Sequence, residues 1–345
     1  MASSVNNSAW VEWMTSLMGG GSRQTCAAAL PPHLFYCLLD ELPLHLIPQS
    51  ARKLLSGEED GHYLYVNPQC ILSGEQEVPE QVDRGLLSGF ALQGTIAWVP
   101  DSDGGSWLPF WLGPECERVL RGARPGEPLA GAAPSGVKAV LRAANILVRD
   151  GVANQGVRKR EEMIATASPL FARKGYAPLR NLLHPFHVAA LRRYYRHQIR
   201  SGAIALGDRQ STRRYCAHNE PVARFFHHQL AGALSAVAGE PLKPSYVYFA
   251  SYLSGAELKK HTDREQCDYS LTFCLDFSPE PSLATPWPIK LDTSTGTVAV
   301  YQALGDGLAY RGTRLPHYRA PLPEGWTSTS IFFHYVRQDF AGPLG

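Results

Sequence analysis

Five short strand-like runs crowd the carboxy-terminal third of the chain: "SYVYFASYL" (245–253), "YSLTFCLDF" (269–277), "GTVAVYQAL" (296–304), "GLAYRG" (307–312) and "STSIFFHYV" (328–336). Gly-, Pro- and Asp-rich turns part them. Runs of this length, rich in β-branched and aromatic residues, must pair with one another and bury a face, so they constrain the fold more than any other feature. Two amphipathic stretches come just before. "HPFHVAALRRYYRHQIRSG" spaces Val188, Leu191, Tyr195 and Ile199 at helical intervals, with Gly202 as a stop. "NEPVARFFHHQLAGALSAVAGEP" offers Asn219 as N-cap, Pro221 in the first turn and Gly239 as terminator. Helices followed by many short strands predict a mainly β, α+β fold: a sheet sandwich or jelly roll braced by helices.

The rest of the chain is less specific. Its 345 residues suffice for one large domain or two ordinary ones. Residues 1–22 suggest a tail or short helix, with Trp10, Trp13, Leu17 and Met18 on one side and Gly19–Gly21 as its end. Residues 23–160 mix short apolar runs with turn clusters and are expected to form an accessory module. Within it, "CERVLRGARPGEPLAGAAPSGVKAVLRAANILVRDG" reads as two short helices and a strand, an outline shared by small winged-helix modules, so a peptide- or DNA-binding role stands beside a structural one. The charged "RDGVANQGVRKREE" at 149–162 marks the expected boundary, and 161–345 the catalytic domain. Lys and Arg total 33 against 31 Asp and Glu, a net +2, which provides no broad field for nucleic acid or an anionic membrane. Seven irregularly spaced cysteines without a C-x-x-C pair fit free thiols in a reducing compartment. With no secretory signal pattern and no run near membrane-spanning length, the expected location is the cytoplasm.

The chemistry concentrates in "ELKKHTDREQCDYSLTFCLDF" (257–277). In extended chain, residues i and i+2 share a face, so His261 and Asp263 can offer an imidazole nitrogen and a carboxylate oxygen to one ion. For a third ligand, His317 is the strongest candidate and His334 the competitor. Two histidines and one carboxylate make the facial triad of non-haem Fe(II) oxygenases, although zinc hydrolysis uses similar ligands. Adjacent His227 and His228 are discounted, because helical neighbours point about 100° apart. Cys267 and Cys274 form a rival set with His261, but their spacing along a strand pair makes a shared ion awkward, and they read as ordinary buried thiols.

"YLSGAELKKHTD", with Tyr252, Gly255, Leu258, His261 and Asp263, resembles the first histidine motif of prolyl-4-hydroxylase-like 2-oxoglutarate/Fe(II)-dependent dioxygenases. "HYRAPLPEG", with His317, Pro321, Leu322 and Gly325, resembles their distal segment. The resemblance covers roughly 170–340. It implies a double-stranded β-helix with Fe(II) held by His261, Asp263 and His317, with 2-oxoglutarate as co-substrate contacted by Tyr252, with O2 and a small-molecule or peptide substrate as partners, and with ascorbate as a further candidate cofactor. A retained Asp263 implies hydroxylation rather than halogenation.

One element of the family pattern is absent. The far carboxylate of 2-oxoglutarate must meet a cation inside the barrel, yet the strand where the family carries one reads "GWTSTSIFF". Arg319, two residues past His317, is the expected substitute, with Thr327, Ser328 or Ser330 adding hydroxyls. Arg314 is the runner-up; Lys259 and Lys260 are expected in solvent. The alternatives are a zinc-type jelly-roll enzyme and a noncatalytic peptide- or DNA-binding protein.

Overall fold

The computed structural model describes residues 30–55, 63–102, 105–129, 133–149 and 155–345. The helix expected over Trp10–Met18 lies outside them. In chain order the strands are β1 (Leu64–Val66), β2 (Ile71–Ser73), β3 (Thr95–Ser102), β4 (Ser106–Leu112), β5 (Leu147–Arg149), β6 (Tyr176–Leu179), β7 (Arg214–His218), β8 (Leu242–Tyr252), β9 (Leu258–His261), β10 (Tyr269–Ser278), β11 (Ile289–Thr293), β12 (Gly296–Val300), β13 (Gly307–Arg311), β14 (His317–Arg319) and β15 (Thr327–Arg337). The α-helices are α1 (Pro114–Leu120), α2 (Ser135–Ala143), α3 (Gln155–Lys174), α4 (Pro185–Arg200) and α5 (Pro221–Ala238).

All five expected strand runs are strands, and the architecture is mainly β with supporting helices. A six-stranded antiparallel sheet, ordered β6-β13-β10-β15-β8-β7, faces a four-stranded antiparallel sheet, β12-β11-β14-β9. Their inner faces meet through Tyr176, Leu308 and Tyr310 of the large sheet and Ile289, Leu291 and Val300 of the small one. Alternation sends the other residues of the large sheet outward. Val247, Phe249, Leu271, Phe273, Ile331, Phe333 and Tyr335 pack with Phe171 of α3, Leu191 and Tyr195 of α4, and Phe226 and Leu230 of α5. Arg192 and Arg196 of α4 fasten that layer by donating to the Asp276 carboxylate on β10, at 2.9 and 2.6 Å.

The amino-terminal elements share this core. Phe35 sits edge-on to Phe90, Trp111, Tyr194 and Phe226 at centroid distances of 5.1 to 6.1 Å, so one aromatic cluster joins the β2-β3-β4 sheet region to α4 and α5. Residues 155–162 of the expected boundary form the first turns of α3. The two short helices and strand expected in the winged-helix outline are α1, α2 and β5, and β5 pairs with β1.

The α5 cap differs from expectation. Glu220, not Asn219, is the N-cap, its carboxylate accepting from the Val222 and Ala223 amides at 3.2 and 2.9 Å. Asn219 is in a left-handed conformation, φ 51°, and its side chain instead accepts from the Val247 amide on β8. A residue bonded sideways to a strand cannot also cap the helix. The six described cysteines are free, and among the described residues no helix is long and apolar enough to cross a membrane.

Candidate metal centre

The pairing of β9 with β14 sets His261 directly opposite His317, and the two rings lie 4.4 Å apart. Asp263, just past β9, is held by its amide donating to the Gly312 carbonyl at 2.9 Å. Asp263 Oδ1 stands 3.6 Å from both His261 Nε2 and His317 Nε2, and the three ligand atoms lie within 4.8 Å of one another. An ion with bonds of about 2.0–2.2 Å can bridge such atoms with small side-chain adjustments.

Each ligand is oriented by a partner on its far side. His261 Nδ1–H donates to the Lys259 carbonyl at 2.7 Å and His317 Nδ1–H to the Leu315 carbonyl at 3.0 Å, which leaves both Nε2 lone pairs facing the centre. Asp263 Oδ2 accepts from the Ser270 hydroxyl at 2.6 Å, freeing Oδ1. Because Ser270 spends its only proton there, His334 Nδ1–H donates to Ser270 Oγ, at 3.0 Å. Burial works to raise the Asp263 carboxyl, but at acid pH, where the rings are protonated, the His261 hydrogen bond and the charges of His334 and His317, together with the Ser270 hydroxyl, hold it down to about 2. The carboxylate is therefore ready for a cation. Gly312 makes the close packing possible: a Cβ there would meet Asp263 Oδ2 at 2.3 Å and the Cys267 carbonyl at 2.4 Å.

His334, the competing candidate, does not converge with His261 and His317. It groups with Asp263 and Cys267 on the opposite side, where its ring leans on Tyr246 at 4.7 Å. Cys267 exchanges a hydrogen bond with the Tyr246 hydroxyl at 2.9 Å, and burial pushes its thiol up to about 12. Cys274 lies apart from it, beside Arg319. His227 is a core residue whose Nε2–H donates to the His334 carbonyl at 2.7 Å.

Arg319 points into the barrel two residues beyond His317. It is 4 % exposed. Nη1 donates to the Trp287 carbonyl at 2.6 Å, the guanidinium lies 4.7 Å over the Trp287 ring, and Nη2 reaches Gln302 Oε1 at 3.4 Å. Its Nε has no partner, and among the described residues no carboxylate pairs with it. Burial accordingly lowers its pKa. Tyr252, fully buried, stands edge-on to Trp287 at 5.3 Å and lies in the fields of Arg214 and Arg319. Ser328 pairs directly with Tyr252 across β15 and β8, and Ser330 with Ala250, so both share the barrel face. Alternation turns Thr327 to the other face. Lys259 and Arg314 are exposed, and Lys260 pairs with Asp292 at 2.6 Å.

A cleft of about 550 Å³ opens over the triad, walled by Tyr246, Tyr248, Tyr252, Tyr310, Phe332 and His334. A second cavity, of about 650 Å³, lies between α3 and β3 and does not reach the triad. Sequence reasoning missed Ser270, Tyr310, Gly312, Gln302 and Arg214. All stand on or beside strands brought together by pairing, and the one local signal was a glycine, Gly312, following a strand.

No family model and no curated protein matches the chain. Among solved structures it is similar to a prolyl-4-hydroxylase from Pseudomonas putida, with 16% identity, a TM-score of 0.43, and 51% of this chain and 100% of that chain covered. It is also similar to SnoK, a non-haem α-ketoglutarate-dependent carbocyclase of nogalamycin biosynthesis (12%, TM-score 0.45, 54% and 88% covered). A third is HygX from Streptomyces hygroscopicus, with nickel, 2-oxoglutarate and hygromycin B bound (13%, TM-score 0.40, 51% and 88% covered).

Proposed function

We propose that this chain is an Fe(II)- and 2-oxoglutarate-dependent oxygenase that hydroxylates an amino acid, a peptide or another small metabolite. The observation that carries the reading is Arg319. A guanidinium buried without a counter-ion costs several kcal/mol, roughly, and is retained where an anion arrives to meet it. Arg319 stands one alternation step past His317, buried in the same interior, which supports a role in meeting the far carboxylate of a keto acid held at the triad. Tyr252 and Ser328 share that face and supply hydroxyl donors.

The donor set fits the metal. Two imidazoles and one carboxylate, each fixed by an outer hydrogen bond, suit ferrous iron with three positions left for co-substrate and O2. When bound, iron and 2-oxoglutarate supply the oxidising power, with 2-oxoglutarate leaving as succinate and carbon dioxide. The chain's own part is to hold and shield: His261, Asp263 and His317 fix the metal, Arg319 orients the keto acid, and Trp287, Leu322 and Phe332 keep its far end dry. Asp263 fills the position that a halide would need, which favours hydroxylation. Residues 161–345 would carry the chemistry and 23–160 the accessory role, in a reducing compartment such as the cytoplasm.

The test is succinate release from 2-oxoglutarate under air with added Fe(II), together with a metabolite and peptide screen for oxygen-dependent mass gain. His261→Ala and Asp263→Ala are each expected to abolish release. Wild-type-like release from either variant refutes the ligand assignment.

A further inference from the structure

The charged residues lining the cleft are Arg209, Arg214, Arg264, Asp208 and Asp263. They do not cancel. Arg214 is committed to Asp208, its Nε donating to Oδ2 at 3.0 Å, and the Tyr248 hydroxyl donates to the same oxygen. Asp263 belongs to the metal. With a divalent ion, a dianionic keto acid and Arg319 in place, the charges at the centre balance. Arg209 and Arg264 are left over.

Neither has a carboxylate partner among the described residues. Arg264, next in sequence to Asp263, is held rather than free: its guanidinium lies 4.7 Å over the Tyr246 ring, and Nε donates to the Tyr246 hydroxyl at 3.3 Å. His218 stacks on the same ring at 5.0 Å, which fixes the tyrosine and so the arginine. A guanidinium stacked on an aromatic has given up part of its rotamer freedom already, and so loses less on gripping an anion. Arg209 is exposed on the loop before β7, at another part of the same rim. Between these cations and the metal, the walls are aromatic: Tyr246, Tyr248 and Phe332.

We propose that the substrate is a small anion, a carboxylate or a phosphate ester, whose charged end is held by Arg209 and Arg264 while its carbon body lies on the tyrosines and reaches the metal. This rests on the oxygenase reading and names the class of molecule oxidised. Both guanidiniums are solvent-exposed, and a neutral or cationic substrate would give neither an anion to grip.

The test is calorimetric, on the full chain loaded anaerobically with Fe(II) and saturating 2-oxoglutarate. The visible absorption of the iron–2-oxoglutarate chelate is followed in the same samples. The probes share one ring: phenylacetate, phenyl phosphate, benzyl alcohol and phenethylammonium. At least one anion is expected to bind about tenfold or more tightly than benzyl alcohol, the scale of one charge-assisted contact, with phenethylammonium weakest. The preferred anion tells carboxylate from phosphate. Arg209→Gln and Arg264→Gln are each expected to cut anion affinity about tenfold while leaving benzyl alcohol and the chelate absorption unchanged. Arg209 is on a different loop from the ligands, so it keeps the test valid should Arg264→Gln disturb Asp263. Equal binding of anion and alcohol, anion binding untouched by both variants, or anion binding only with loss of the chelate absorption overturns the proposal. Absence of that absorption before any probe is added overturns the oxygenase reading itself.

Discussion

The two faces of the large sheet are built from alternate residues of the same strands and do different work. Val247, Phe249, Phe273, Ile331 and Phe333 face the helices and are sealed in apolar packing, each 0 % exposed. Their immediate neighbours Tyr246, Tyr248, Thr272, Ser330 and His334 face the barrel. They are hydroxyls and an imidazole, and Tyr246, Tyr248 and His334 line the cleft. The helix side anchors the sheet through apolar packing, while the barrel side turns its polar groups toward the facing sheet, whose β14 carries Arg319. Stability and chemistry are separated by one residue step.

Exchanges across that step should have unequal effects. Phe333→Ala removes a ring packed on His227 and Phe273 and is expected to cost about 3–5 kcal/mol, whereas Ser330→Ala on the barrel face of the same strand should cost under about 1 kcal/mol. Urea denaturation of both variants makes the comparison, and similar losses would erase the distinction.

Gly312→Ala comes next. The added methyl overlaps Asp263 Oδ2 and Ser270 Oγ, so a stability loss of about 1–3 kcal/mol is expected, with metal affinity down about 10–100-fold. Metal titration that matches wild type would show that the ligand cradle is looser than its packing.

Arg319→Gln sharpens the contrast by moving function and stability in different directions. 2-Oxoglutarate should bind about 10–100-fold more weakly, the worth of a charge-assisted bond of about 1.5–3 kcal/mol. The thermal midpoint of the metal-free protein should hold or rise, since a buried uncompensated cation has gone. A fall in both would make Arg319 a structural residue.

Acid should act chiefly through the helix side. Burial keeps His187 and His227 neutral, lowering each to about 3. The unfolded chain, with imidazoles near about 6.5, takes up protons that the folded core refuses. Stability is therefore fully present above about pH 6.5 and is lost as pH falls toward 3, by up to about 1.4 kcal/mol per pH unit for each histidine. Thermal midpoints between pH 7 and 4 measure it, and His227→Gln should flatten the slope.

What the sequence disclosed follows the same division. Alternation was enough to pair His261 with Asp263, and to aim Arg319 where His317 points, because both arguments need only neighbours in extended chain. Naming Thr327 alongside Ser328 ran against the same rule, since adjacent positions on one strand face opposite sides. Ser270, Tyr310 and Gln302 were invisible for the opposite reason. They reach the site through the register of β10 with β15 and β13 and through a turn, and no local pattern encodes which strands pair. In the amino-terminal half only α1, α2 and β5 were legible, because its aromatics complete a core contributed by α4 and α5, so little self-contained periodicity marks the rest. Asn219 shows the limit of local rules: a good capping residue was claimed by the neighbouring strand.

The most direct measurement is a crystal structure of the protein grown without air in Fe(II) and 2-oxoglutarate. Anomalous density for one iron among His261 Nε2, Asp263 Oδ1 and His317 Nε2 is expected, with the far carboxylate of the keto acid within hydrogen-bonding distance of Arg319. Iron bound elsewhere, or a keto acid whose far end meets some other cation, would contradict the account.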